Sequence, residues 1–323
     1  MIITRRNALT LAASFAASTT LPAHAQRSFP QRPLRMLITT TPGSSSDVVG
    51  RILADKMTGP LGAPISVENH TGGGGGIAVG MVQNAPPDGH TMTLLTAGYA
   101  TGAAVDKFKF EGEKSFAYIT MVCSYPFVYM VPKDSPIKSF EDMLARAKAT
   151  PDKMTYVITS IGAVHHLIGT WVCGRAGVKM VPISYRGSSA AVPDVLGGRV
   201  DVILEPATSG LPRALSGEFR VLAVTSPTRY EMMPEAPTVA ETLPGVHCMS
   251  WLGMATSPGT PRDAVERLNR EIHAALKLPD IQQKLREGGN VAQPTTPDEM
   301  HKQIADEIAH WQKIVKDNNI KVT

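Results

Sequence analysis

Apolar residues recur along this chain in two alternating rhythms. Leu34–Thr41 is an apolar-rich run of strand length, and Val48, Ile52, Leu53 and Met57 then fall at helical spacing. Ser44, Ser45 and Ser46 are all competent N-caps for that helix, predicted over 47–58, and Gly59-Pro60 is predicted to stop it. The unit repeats: a strand over 65–69, glycines 72–76, a helix over 77–84, a turn at 85–89 and a strand over 91–97. Strand–helix–strand units of this spacing imply right-handed crossovers and a parallel sheet.

Around 125–131 the chain runs apolar again, and a crossing into a second lobe is placed there. That lobe reads as strands over 153–159, 179–184, 200–205 and 220–225, with helices near 165–175 and from 187 to 197. The chain returns at about 246–255. Two C-terminal helices are predicted, the first with Pro261 at its first position and a stripe of Ala264, Val265, Leu268, Ile272, Ala275 and Leu276. The second carries Ile304, Ile308, Trp311, Ile314 and Val315, and its tryptophan reads as core.

The N-terminus changes the picture. Arg5-Arg6, an Ala-rich apolar run over 8–21 and Ala23-His24-Ala25 form a three-part export leader, cleaved near Ala25. The paired arginines leave twin-arginine and Sec export both open. Of the 323 residues, 298 then remain, enough for two lobes, and the formal charge falls from +4 to +2. That balance gives no nucleic-acid footprint. Cys123, Cys173 and Cys248 allow one disulfide with a thiol left over, or three buried thiols.

The search for enzyme chemistry finds no pattern. No glycine is followed by lysine and a hydroxyl residue, as a Walker loop needs, and there is no Gly-x-Ser-x-Gly elbow. From Gly72, Gly73 and Gly74 the third dinucleotide-binding position falls on Ile77, Ala78 and Val79 rather than on glycine. His165-His166 point apart on a helix, so they read as a cap or supporting histidine rather than as metal ligands. No cofactor, metal or catalytic pair is expected. What stands out is the position of four glycine and serine clusters, 43–46, 72–76, Gly162 and 187–189, each between a strand end and a helix start. Open α/β sheets bind ligands at that edge, and helix N-termini expose free N–H groups there. Two such edges facing each other would clamp an anion.

An ordered set of short motifs carries a resemblance over nearly the whole mature chain. The set is 29–35 (FPQRPLR), Pro42-Gly43 with Asp47, Glu68-Asn69 with the glycines and Ile77, and 87–91 (PDGHT). It continues with 185–188 (YRGS), 197–201 (GGRVD), 237–241 (PTVAE), Trp251-Leu252-Gly253 and 258–261 (PGTP). The chain resembles the substrate-binding proteins of tripartite tricarboxylate transporters, the Bug family of periplasmic receptors. The resemblance implies an α/β, two-lobed Venus-flytrap fold of type II with two crossing strands. Lobe 1 would hold 26–124 and 247–323, and lobe 2 would hold 125–246. It further implies a periplasmic, monomeric receptor that passes a small carboxylate to the membrane permease subunits of such a transporter.

Carried onto this chain, the ligand-binding residues implied are Ser44, Ser45, Gly74, Gly75, Thr96, Tyr99, Ser160, Gly162, His166, Tyr185, Ser188 and Glu205. Thr40 replaces an aromatic residue common in relatives, and Ala163 stands where many carry serine. These departures point to a ligand with an apolar or aromatic body and one or two carboxylates. Glu205 leaves an amino-acid ligand as the rival, and a sensor-kinase receptor or a periplasmic enzyme are further alternatives.

Overall fold

The computed structural model describes residues 29–106, 111 and 114–320. The expected export leader, residues 1–25, lies outside the described residues. Strands β1 (Leu34–Ile38), β2 (Ile65–Asn69) and β3 (Thr91–Thr96) are parallel, with β1 in the middle. Helices α1 (Ser45–Leu61) and α2 (Gly76–Gln83) connect them, and Gly73–Gly75 form a 3-10 turn before α2. Helix α3 (Ala97–Ala104) follows β3 directly.

The central element is β4 (Ala117–Pro132), a 16-residue strand buried over nearly its whole length. Its first part, up to Pro126, pairs antiparallel with β9 (Met249–Thr256), which itself pairs antiparallel with β3. From Phe127 onward β4 pairs instead with β7 (Ile203–Pro206) and β8 (Phe219–Val224). Strands β5 (Thr155–Ile158) and β6 (Val181–Ser184) are parallel to each other, and Tyr156 bridges in parallel to Val202 just before β7. Helices α4 (Phe140–Ala149), α5 (Val164–Ala176), α6 (Ser188–Leu196), α7 (Ala207–Ser216) and α8 (Val239–Thr242) complete this half. At the C-terminal end lie α9 (Arg262–Leu276), α10 (Pro279–Glu287), the short strand β10 (Val291–Ala292) and α11 (Pro297–Asp317).

The two hydrophobic cores follow the two faces of the sheet rather than the two halves of the chain. Phe127, Tyr129 and Val131 enter one core, which also holds Trp251 and Trp311, while Val128 and Met130 enter the other with α1, α7 and α9 residues. This is the period-two alternation of a strand buried on both faces. Thr225 joins the crossing strands. Its N–H donates to Phe127 O at 2.9 Å, and its carbonyl accepts from Cys248 N at 2.7 Å. Its Oγ1 accepts from Phe127 N at 2.8 Å and donates to Cys248 O at 2.6 Å.

Several expectations are corrected. Helix α1 runs through Gly59-Pro60 to Leu61 and ends at left-handed Gly62. Leu61 is buried, worth about 1.5–3 kcal/mol, which offsets the one hydrogen bond a last-turn proline forfeits. Strand β1 stops at Ile38, which leaves Thr39–Thr41 to the loop. Pro261 is the N-cap of α9 rather than its first residue, and α10 makes the C-terminal helices three rather than two. Helices α3, α4, α7 and α8 were not read from the sequence, although Phe140, Met143, Leu144 and Ala147 of α4 stand at helical spacing behind the Ser139 cap. The three cysteines are free thiols.

Candidate functional site

The carboxyl ends of β1, β2 and β3 share one edge because those strands are parallel, and β5 and β6 form a second such edge, continued by the bridge to β7. The first loop is organised by hydroxyls. Thr40 Oγ1 bonds Ser44 Oγ at 2.7 Å and also Ser46 Oγ, and Ser44 Oγ accepts the Asp47 N–H as the α1 cap. Ser45 turns away from that set, and its Oγ accepts from Asn290 Nδ2 at 3.3 Å. Asp47, 4% exposed, fixes the loop by accepting from Gly43 N (2.9 Å), Arg51 Nε (3.0 Å) and Asn69 Nδ2 (2.9 Å). Burial pushes the Asp47 carboxyl up, but these donors together hold it below the usual carboxylate range.

The second loop presses on the first. Gly75 has φ +98°, and a Cβ there would stand 3.1 Å from Thr39 Cβ, so only glycine fits without strain. Gly74 lies within the same 3-10 turn. In the third loop Thr96 is the N-cap of α3, and its side chain makes no cap bond. Tyr99 does not join the loops. It is 3% exposed, and its ring packs edge-on against Phe116 at 5.5 Å, inside the core.

At the second edge Ser160 is exposed, and its carbonyl accepts from Ala163 N at 3.1 Å. His166 Nδ1 accepts the Gly162 N–H at 3.1 Å, so this histidine shapes the loop and carries its proton on Nε2. Burial lowers its pKa, in keeping with a neutral ring. Ala163 caps α5 without a side-chain bond. Tyr185 O–H donates to Asp194 Oδ2 at 2.6 Å, tying the loop to α6, and Ser188 is the first residue of α6 behind Gly187 at φ +113°. Glu205 is fully buried. One carboxylate oxygen lies 2.8 Å from Arg213 Nε, without hydrogen-bond alignment, and the other accepts from Ser209 Oγ at 3.1 Å. The carboxylate read as a partner for a ligand amine thus already faces a guanidinium.

One property unites these loops. Among the described residues, the helices that start at these edges after Gly75, Thr96, Ala163, Gly187 and Pro206 have no side-chain cap, and only α1 has one. Elsewhere α4, α8 and α11 are all capped by Ser or Thr, although α9 and α10 are not. Uncapped first-turn N–H groups and the positive dipole end favour a bound anion. Exposed apolar side chains stand on the same elements: Val48 and Ile77 in the first turns of α1 and α2, and Ile161 in the β5–α5 loop. Cavities of about 550 and 990 Å³ open elsewhere, beside Lys153 and Asp201 and beside Tyr118 and His301, and none of the loop residues lines them. Among the described residues, no three His, Cys, Asp or Glu side chains gather as a metal site would need.

Sequence reasoning missed Asn290 and Arg213. Asn290 is 2% exposed and reaches Ser45 over 245 positions of chain, and no local pattern marks such a contact. Arg213 lies in α7, a helix not read from the sequence.

The family model for the tripartite tricarboxylate transporter family receptor matches residues 49–320. The chain belongs to that family. It is 34% identical over 308 residues, 93% of this chain and 90% of the relative, to the UPF0065 protein in the tcbD-tcbE intergenic region of Pseudomonas sp. strain P51. The periplasmic binding protein BugD superposes with a TM-score of 0.78 at 29% identity, covering 91% of this chain and 99% of that one. Rpa4515 of R. palustris, solved with adipate, superposes with a TM-score of 0.79 at 27% identity over 91% and 99% of the two chains. The expected two-lobed α/β receptor fold and the expected family are thus both found. No helix among the described residues is long and apolar enough to cross a membrane.

Proposed function

We propose that this family member is a periplasmic receptor that captures a small carboxylate between its lobes and delivers it, without turnover, to a tripartite tricarboxylate-type permease. The lobes are assigned as 26–124 with 247–323, and 125–246, in a monomer freed of its leader near Ala25. The observation that carries the reading is the set of uncapped helix N-termini on both sheet edges. Oriented N–H groups bind a carboxylate without requiring a lysine or arginine for every charge. The adipate held by Rpa4515 supports a dicarboxylate with an apolar body, and so do the exposed Val48, Ile77 and Ile161. The amino-acid alternative rested on Glu205, whose pairing with Arg213 removes its support.

Calorimetry with a panel of aliphatic and aromatic mono- and dicarboxylates, citrate and amino acids tests this. Binding confined to amino acids or citrate would overturn it, as would product appearing over time. A true ligand at 100-fold excess over its Kd stabilises the fold by about 2.7 kcal/mol. Ser188→Asp, which places a negative charge at the start of α6, is expected to weaken carboxylate binding by roughly 30-fold or more. Unchanged affinity would remove this loop from the site.

A further inference from the structure

Arg213 is held at the second edge from behind, whereas Arg186 in the β6–α6 loop is exposed. Glu205 has no exposed surface, while the Arg213 side chain keeps 22% of its own. Glu205 anchors Arg213 Nε, and Ser209 holds the far oxygen of that carboxylate. Arg213 Nη2 donates to Ser189 Oγ at 3.2 Å, so the guanidinium lies at the start of α6, where Ser188 and Gly187 are. No hydrogen bond from Nη1 is formed among the described residues. The negative end of this pair is buried and the positive end faces the edge.

The helix that carries Arg213 begins where the two halves of the molecule meet. Asn290, which holds Ser45 of the first loop, follows Gly289, and a Cβ on Gly289 would stand 2.8 Å from Ala207 O at the start of α7. The first loop and the start of α7, the helix that carries Ser209 and Arg213, therefore meet through two adjacent residues. The hydroxyls of Thr40, Ser44 and Ser46 satisfy one another, whereas the guanidinium has donor capacity left over.

We propose that Arg213 is the specificity-determining residue of this cleft, the group that receives a second carboxylate of the ligand. This rests on the carboxylate-receptor reading above and goes further by naming the subsite. Helix N-termini supply the first anion site, and their N–H groups accommodate a mono- or diacid alike. A planar guanidinium preset by a buried carboxylate adds a charge-assisted donor that only a diacid of suitable length reaches. The serine-rich first loop then has a lesser share in charge selection.

The test is calorimetry on the mature protein with two matched pairs, adipate against hexanoate and terephthalate against benzoate. The wild type is expected to prefer the diacid in at least one pair. R213Q should lower that diacid-to-monoacid affinity ratio by at least about tenfold, and R213K should restore much of it. The double variant E205Q/R213Q strands no buried charge. It should show the same lowered ratio with a thermal transition close to wild type, which separates lost recognition from lost folding. A ratio left unchanged in the double variant overturns the assignment. So does a wild type that binds both members of each pair equally, which would leave the carboxylate receptor standing without an arginine subsite. A wild type that binds none of the four overturns the assignment and counts against the carboxylate reading itself.

Discussion

Two glutamates in the interior are held in opposite ways. Glu205, at the second sheet edge, faces Arg213 and is fully buried. Glu307, on α11 behind the crossing strands, meets no cation among the described residues. Its two oxygens accept from the indole N–H groups of Trp251 (2.5 Å) and Trp311 (3.0 Å). Part of residue Glu307 remains accessible, yet burial of its carboxyl dominates, and its pKa is pushed up to about 7 although both indoles pull it down. Glu205 is matched by a counter-ion, whereas Glu307, with only neutral donors, gives up much of its charge near neutral pH. The first arrangement suits recognition of an ion, and the second makes stability depend on pH.

The largest expected effect tests the first arrangement. Arg213→Met strands the Glu205 carboxylate and should cost about 3–5 kcal/mol in urea unfolding, whereas E205Q/R213M should recover most of it. Recovery failing in the double variant would mean that Arg213 stabilises by packing rather than by charge. Glu307 comes next. Its folded pKa lies above the ordinary value of 4.5, so between about pH 4.5 and 7 the folded state holds a proton that the unfolded chain lacks. Its contribution to stability is therefore complete below that window and is lost as pH rises through it, by at most about 3 kcal/mol. His165, which burial holds down to about 4, has the opposite slope between 4 and 6.5. The Glu307 share is consequently the difference between wild type and E307Q across pH 5–8, and a constant difference would refute it. Trp311→Phe removes one indole donor and some core volume and should cost about 2 kcal/mol at pH 8. The smallest effect is the reference for the other three: Arg262→Ala breaks an ion pair whose side chains are 88% and 56% exposed, and should leave the urea midpoint at the wild-type value.

What the chain revealed before folding was mostly local. The βα units, the Ser44 cap and the glycine loops are written within a few residues of one another, and they carried the edge where an anion would bind. The side-chain assignments were less legible. Tyr99 sits at a helix start that faces the core, and the phase of α3 decides that, not its position after β3. His166 and Tyr185 lie in the expected loops, but their polar atoms are engaged by Gly162 and Asp194. Arg213 and Asn290 depend on contacts between separate elements, which no short window shows. Proline and glycine at 59–60 read as a stop only because the burial of Leu61 could not be seen.

Thr225 spends both its backbone groups and its hydroxyl on Phe127 and Cys248, so it ties the two chain passages to each other just beyond the last pair of the β4–β9 ladder. Each core runs through both halves, so any opening of the halves has to part side chains on both faces of the sheet as well. A pair of spectroscopic labels, one on each half, would read whether those side chains part when ligand is added.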